Sequence, residues 1–349
     1  MLDIYAGKSA MKVLKENGFK QELFTSFLGA SGGPKLFSLL QSDRYLFGEF
    51  FKDRSTELNL IGSSAGAFRS ACFAQKNPTE AIERLAKSYA ETTYSKNARP
   101  DEITEKASLL LDTVFGDSGA KDIIENKIFK VHFIVAKSNG FVSFENKYLQ
   151  GLGLFSSYLR NRSNRHKLNK QYKRYVFQSP SSGLKFTDPD NIETVTVNLN
   201  EKNIKQALLA SGSIPMVMKG IKDIPNAPRG IYRDGGIIDY HFDIQLHDEG
   251  LTLYPHFNSE PKSGWFDKSS KRGVRSENYD KTVLLCPSPK FIASLPFSKI
   301  PDRNDFVKLD DQTRIKYWKT VLSETEKLVE VLNNFVESQD IDFVKPMPF

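Results

Sequence analysis

The sequence predicts a single domain of the α/β class, on three observations. Strand-like runs alternate with helical ones along most of the chain. Two of the strand-to-helix junctions are glycine-rich turns, and no repeat or low-complexity linker divides the 349 residues. With 39% hydrophobic and 26% charged residues, the chain has the balance of a globular protein able to bury a sizeable core. Its two cysteines, Cys72 and Cys286, fall in apolar surroundings and form neither a disulfide framework nor a zinc spacing. The first residues lack the apolar core of a signal peptide and no apolar run has the length of a membrane span, so the expected location is cytoplasmic. A net charge of +7 and 26 phenylalanines hint at an anionic partner with an apolar portion, such as a lipid surface. No nucleic-acid-binding motif is present.

Taken in order, residues 8–17 read as a helix with Ala10, Val13 and Leu14 on one face, stopped at Gly18. Glu22 to Leu28 is strand-like and leads through Ala30-Ser31-Gly32-Gly33-Pro34-Lys35 into a helix bearing Leu36, Phe37, Leu39 and Leu40. Leu58 to Ile61 is a short buried strand, followed by Gly62-Ser63-Ser64-Ala65-Gly66 and a helix over 67–74. Asn77-Pro78-Thr79-Glu80 starts another helix, with proline in the first turn. Helical segments over 105–115 and 121–127 precede a strand at Val131 to Val135. Asn146 to Tyr172 reads as an amphipathic, increasingly basic helical insertion. Arg160, Arg162, Arg165, Lys167 and Lys170 lie in it without one acidic residue. It reads either as a solvated helix or as a surface that meets anionic head groups. Trp265-Phe266 with Lys268, Lys271, Arg272 and Arg275 is a second candidate of that kind. Strands at 194–197, 230–233, 250–254 and 282–285 surround a short helix at 203–209, and 310–338 is a charged helix or helix pair.

Three of these segments carry chemistry. Gly62 to Gly66 fits Gly-x-Ser-x-Gly between a strand and a helix, the setting of a nucleophile elbow. There the glycines let strand and helix approach, and Ser64 projects from the tip with a helix N-terminus behind it. An ordinary strand-to-helix turn has the same composition. The glycines at 32 and 33 turn backbone N–H groups toward a common point, which suits an oxyanion hole completed by the amide of Ala65. A phosphate loop is the rival, although neither glycine-rich phosphate fingerprint is satisfied. Asp234-Gly235-Gly236 places a carboxylate in a turn at the end of a strand.

As a set, these segments resemble the patatin-like phospholipases, lipid acyl hydrolases that are similar in turn to cytosolic phospholipase A enzymes. The glycine loop, the elbow and Asp-Gly-Gly occur in the family's order, and Ala210 to Pro215 is similar to its Ala-Ser-x-x-x-Pro stretch. The likeness spans roughly residues 20–245. It implies a three-layer α/β/α fold around a mainly parallel sheet. Residues 1–300 would form the hydrolase domain, with the helical and basic insertion around 145–175, and 301–349 a helical extension packed on it. It further implies Ser64 as nucleophile, Asp234 as its partner in a Ser-Asp dyad, Gly32, Gly33 and Ala65 as oxyanion donors, and Lys35 in the place of the family's basic residue. Ala30 and Ser31 replace the family's usual acid and first glycine, and Leu36 stands where its last glycine would be.

The expected activity is therefore hydrolysis of a phospholipid, lysophospholipid or other acyl lipid, with no metal or organic cofactor and with peripheral contact to a membrane. Ser64 attacks the ester carbonyl while Asp234 takes its proton. A carboxylate with a reference pKa of about 3.9 is a feeble base, so burial must raise it or the oxyanion donors must assist strongly. Two alternatives stand beside this. One is an esterase or thioesterase in which His241, His247 or His256 completes a triad. The other is a non-catalytic lipid-binding relative with an altered glycine loop.

Overall fold

Parallel strands buried on both faces read as short unbroken apolar runs, and such runs fill the centre of this molecule. The computed structural model describes all residues, 1–349. Its strands are β1 (Leu2–Ala6), β2 (Phe24–Gly29), β3 (Leu58–Ser63), β4 (Phe129–Ser138), β5 (Tyr172–Gln178), β6 (Phe186–Thr187), β7 (Thr194–Asn198), β8 (Ile221–Lys222), β9 (Ile231–Asp234), β10 (Gln245–Leu246), β11 (Leu251–Pro255), β12 (Thr282–Pro287) and β13 (Lys345–Pro346). Eleven of them make one sheet whose main path runs β13, β1, β12, β11, β2, β3, β4, β5, β7, while β6 and β10 form a separate ribbon. From β12 through β4 every neighbouring pair is parallel. The fold is thus α/β with a large, mostly parallel central sheet, and no helix is long and apolar enough to cross a membrane.

The expected helix at 8–17 is present as Lys8–Asn17 and stops at Gly18, whose φ of 78° is one that glycine takes without strain. Six strands, β1, β5, β6, β8, β10 and β13, have no counterpart among those expected from sequence, and two of them shape the sheet. β1 looks like an unremarkable leading segment, yet it pairs antiparallel with β12. β5 lies at the end of the basic run and carries a fully buried Arg174, which Asp239 and Asp188 neutralise.

The tail from residue 301 packs into the same core as the rest. One cluster of 73 buried apolar residues runs from Leu2 to Val344 and includes Trp318 and Leu332. Trp318 packs against Phe37, the rings tilted by 40° with 5.1 Å between centroids, and Arg314 donates to the carbonyls of Ala90 and Thr92. β13 then closes one edge of the sheet against β1.

The register around β4 positions the site. Along 132–138, one edge of β4 is occupied by β5. Its other edge is shared end to end: β3 runs parallel to it as far as Ser63 opposite Ile134, and β9 comes back antiparallel and stops with Asp234 opposite Val135. Two strands of opposite direction therefore meet tip to tip at adjacent rungs of one partner. Residues 64 and 234, far apart in sequence, are neighbours by construction.

Candidate active site

Ser64 stands between the end of β3 and the helix Ala65–Phe73, with φ 54° and ψ −123°. A side chain in that region of backbone space costs of order 1–3 kcal/mol and persists only where its surroundings enforce it. The enforcement is visible at Gly66, where a Cβ would lie 1.8 Å from the carbonyl oxygen of Gly29 and 2.1 Å from its carbon. Only a bare backbone lets the helix start press against the end of β2. Further support comes from Ser211, whose Oγ accepts from the Ser64 N–H at 3.0 Å and donates to the Ile134 carbonyl at 2.7 Å.

Asp234 faces Ser64 directly. Its Oδ2 accepts from the Ser64 hydroxyl at 2.8 Å and its Oδ1 from the Gly236 N–H at 2.7 Å, so both oxygens are oriented. The Asp234 N–H donates to the Ser213 carbonyl at 3.0 Å. The 210–215 stretch thus grips both partners through Ser211 and Ser213. Burial pushes the Asp234 carboxyl above its ordinary pKa, while the Ser64 hydroxyl, the Gly236 amide, Arg303 and Lys268 pull the other way.

The glycine loop closes one side. Ser31 donates from Oγ to the Ser63 carbonyl and lies 3.0 Å from the Ser63 hydroxyl, which clamps the loop to the elbow. Gly32 and Gly33 line the same cleft as Ser64 and Asp234, a space of about 30 Å³ sized for one or two atoms or waters. Gly33, Ser64 and Ala65 also line an adjoining cavity of about 790 Å³ whose walls are mostly apolar. The loop, nucleophile and helix start therefore meet where a small polar cleft opens into a large apolar one. Lys35 lies outside both linings, with its ammonium 5.4 Å from the Phe257 ring, and burial lowers its pKa.

Two cations that the sequence reading did not place in the site reach the cleft instead. Lys268 and Arg303 line it beside Ser64 and Asp234. Lys268 sits 4.1 Å over the Tyr240 ring and 5.6 Å from Trp265. Desolvation and then the charge of Arg303 pull its pKa below the ordinary lysine value, although the residue as a whole is exposed at the rim. Neither cation has a carboxylate within ion-pair distance, whereas their neighbours Lys299 and Arg272 do. Trp265, expected on a membrane-facing loop, walls both the cleft and the cavity. Arg272 and Arg275 of that loop are tied to Asp267, Asp190 and Asp243.

No histidine bonds to either member of the pair. His241 accepts the Lys262 N–H on Nδ1, stacks edge-on to His256 at 4.3 Å, and is held neutral by burial. Burial lowers the His256 pKa to about 3, and His247 lies against Thr187. His132 bonds Asn59 within the sheet, and His166 accompanies Asp190 at the surface.

The arrangement can do one thing well. A hydroxyl with a carboxylate on it, at the tip of a strained turn and beside a glycine loop, can attack a carbonyl and hold the resulting oxyanion. No protein-family model matches this chain, and no curated protein matches it, so the functional reading rests on this geometry.

Proposed function

We propose that the protein is a serine acyl hydrolase of patatin-like, three-layer architecture. Ser64 is the nucleophile, Asp234 the base, and an acyl ester bearing an anionic group, such as a phospholipid or lysophospholipid, the substrate. The observation that carries this is the 2.8 Å bond from the Ser64 hydroxyl to Asp234 at an elbow with φ 54°. In the first half-reaction, Ser64 Oγ adds to the ester carbonyl and its proton passes to Asp234 Oδ2. The amides of Gly32, Gly33 and Ala65 receive the oxyanion, a contribution worth about 2.7–4 kcal/mol per donor in comparable sites. Collapse breaks the ester C–O bond, and the leaving alkoxide takes the proton back. Water then attacks the acyl-enzyme with Asp234 again accepting the proton, which frees the acid and restores Ser64. The apolar cavity of about 790 Å³ suits an acyl chain, and the unpaired Lys268 and Arg303 suit an anionic group near the ester.

The test is hydrolysis of a short-chain p-nitrophenyl ester and of a phospholipid by wild type, Ser64→Ala and Asp234→Asn. A fluorophosphonate labelling experiment runs alongside. Loss of turnover in both folded variants, with labelling confined to proteins that keep Ser64, is the expected result. Activity surviving Ser64→Ala removes the nucleophile, and a wild type that is neither active nor labelled points to lipid binding without chemistry.

A further inference from the structure

The helix Lys147–Ser163 is built inside out. At 3.6 residues per turn, Tyr148, Leu152, Phe155 and Leu159 fall within about 60° of one another around its axis. All four are exposed, at 85%, 61%, 61% and 50%. The opposite, buried side carries Gln150, Gly153, Ser157 and Asn161. Gln150 donates to the Phe144 carbonyl, Ser157 to the Gly153 carbonyl and Asn161 from its amide nitrogen to Asp267, while Asn161 Oδ1 has no partner. A soluble helix normally buries its apolar stripe, and here the polar side packs inward and the apolar one faces out.

Two features extend the stripe. At Gly153 a Cβ would lie 2.6 Å from the Val142 nitrogen, so the turn bearing the exposed Phe141 and Phe144 lies directly against the helix. On the other side, Gln150 Oε1 accepts from the Met216 N–H at 2.6 Å. Met216 and Val217, exposed at 37% each, also line the apolar cavity that contains Ser64. The helix that bears the apolar stripe therefore lies directly beside the mouth of the candidate active site. No acidic residue occurs from Lys147 to Thr187. Arg165 and Arg174 are used internally in ion pairs with Asp190, Asp188 and Asp239. Lys147, Arg160, Arg162, Lys167 and Lys170 have no carboxylate partner, which leaves a cationic border to the stripe.

We infer that the outward face of this helix, with the adjoining Phe141–Phe144 turn and Met216-Val217, docks on an anionic lipid bilayer and presents the cavity mouth to it. Aromatic and aliphatic side chains enter the acyl boundary while the arginines and lysines meet the head groups. The purpose of the docking rests on the acyl-lipid reading above, but the binding itself is independent of turnover.

The experiment is vesicle flotation of the full chain on phosphatidylcholine vesicles with and without phosphatidylglycerol. Wild type is compared with Leu152→Asp/Phe155→Asp, Arg160→Glu/Arg162→Glu and Ser64→Ala, and each is sized by light scattering. Wild type and Ser64→Ala are expected to float with the anionic vesicles. Both double variants are expected to lose at least about tenfold in partitioning, with hydrolysis of a soluble ester unchanged. Wild type that fails to float with anionic vesicles, or a Leu152→Asp/Phe155→Asp protein that floats equally well, overturns the proposal. So does a wild-type dimer that the same variant converts to a monomer, which assigns the face to a second copy. A protein that floats but hydrolyses nothing leaves the docking in place and refutes the catalytic reading.

Discussion

Gly66→Ala tests the elbow more sharply than removal of the nucleophile, because it changes one methyl and leaves all the chemistry in place. The new carbon would stand 1.8 Å from the Gly29 oxygen and 2.1 Å from the Gly29 carbon, where ordinary contact begins at 3.4 Å. Both surfaces are backbone, so no side chain can swing aside, and the helix must retreat from β2 by roughly 1.5 Å. Overpacking of this kind costs typically about 1–3 kcal/mol, and the rigidity of both partners places this case at about 3 kcal/mol or beyond. The retreat also carries Ser64 off Asp234, and a misplacement of about 1 Å is worth about 100-fold in rate. Gly151→Ala is the control, since it lies within the helix Lys147–Ser163 with no atom within 4 Å of the added carbon. It should be neutral or gain up to about 1 kcal/mol from helix propensity. Urea unfolding followed by circular dichroism reads the stability, and p-nitrophenyl ester hydrolysis reads the rate. A Gly66→Ala protein with the wild-type unfolding midpoint and rate refutes the account of the elbow.

Other outcomes follow from the same geometry. Ser64→Gly relieves the φ 54° conformation that Ser64→Ala retains. The glycine variant should therefore be more stable than the alanine one by about 1 kcal/mol, after its own entropic cost of about 0.5–1 kcal/mol; equal midpoints deny the strain. Burial raises the Asp234 pKa in the folded protein, so the folded state holds that proton more tightly than the unfolded one. Its contribution to stability must then fall as pH rises from the unfolded carboxylate value through the raised folded one. Asp234→Asn should abolish that slope and unfold at higher denaturant than wild type at neutral pH, and a variant less stable at pH 7 contradicts this. Arg303→Ala removes an unpaired cation from the cleft and is expected to raise KM for an anionic ester by about tenfold, with little effect on a neutral one. A uniform loss on both esters would mean that Arg303 acts on the fold or the chemistry instead.

The parts of the site that local chemistry dictates were legible in the sequence. Gly62, Ser64 and Gly66 announce a sharp turn because only glycine tolerates the approach that the structure shows at Gly66. Asp234-Gly235 announces a turn with a carboxylate for the same reason. What could not be read is what depends on long-range register. The pairing of Ser64 with Asp234 was expected only through the family resemblance; physically it arises from β3 and β9 ending at adjacent rungs of β4, and no local pattern encodes that. Lys268 and Arg303 look like surface charges in sequence, and only the fold shows that they line the cleft while Arg272 and Arg275 of the same stretch find carboxylates. The basic run from Arg160 to Arg174 likewise hid two roles. Arg165 and Arg174 are internal braces, whereas Arg160, Arg162, Lys167 and Lys170 have no carboxylate partner and stand beside an outward apolar face. The periodicity of Lys147–Ser163 signals an amphipathic helix without saying which face is inside, and here hydrogen-bonded Gln150, Ser157 and Asn161 take the inner one.

The two cleft cations also bear on how a lone carboxylate can serve as a base. In the free protein Arg303 and Lys268 favour the ionised form of Asp234, and so oppose the rise that burial produces. A substrate whose anionic group lies against those cations cancels part of their field at Asp234. Its pKa then climbs on binding, and the carboxylate becomes a stronger base at the moment Ser64 needs one. The acidic limb of kcat, which reports the substrate complex, should therefore lie at higher pH than that of kcat/KM, which reports the free enzyme. The separation should shrink for a neutral ester and in Arg303→Ala. Coincident acidic limbs for the anionic ester, or a limb of kcat at lower pH than that of kcat/KM, would mean that the cations do not couple to the dyad. Lys268 and Arg303 would then hold substrate without tuning Asp234.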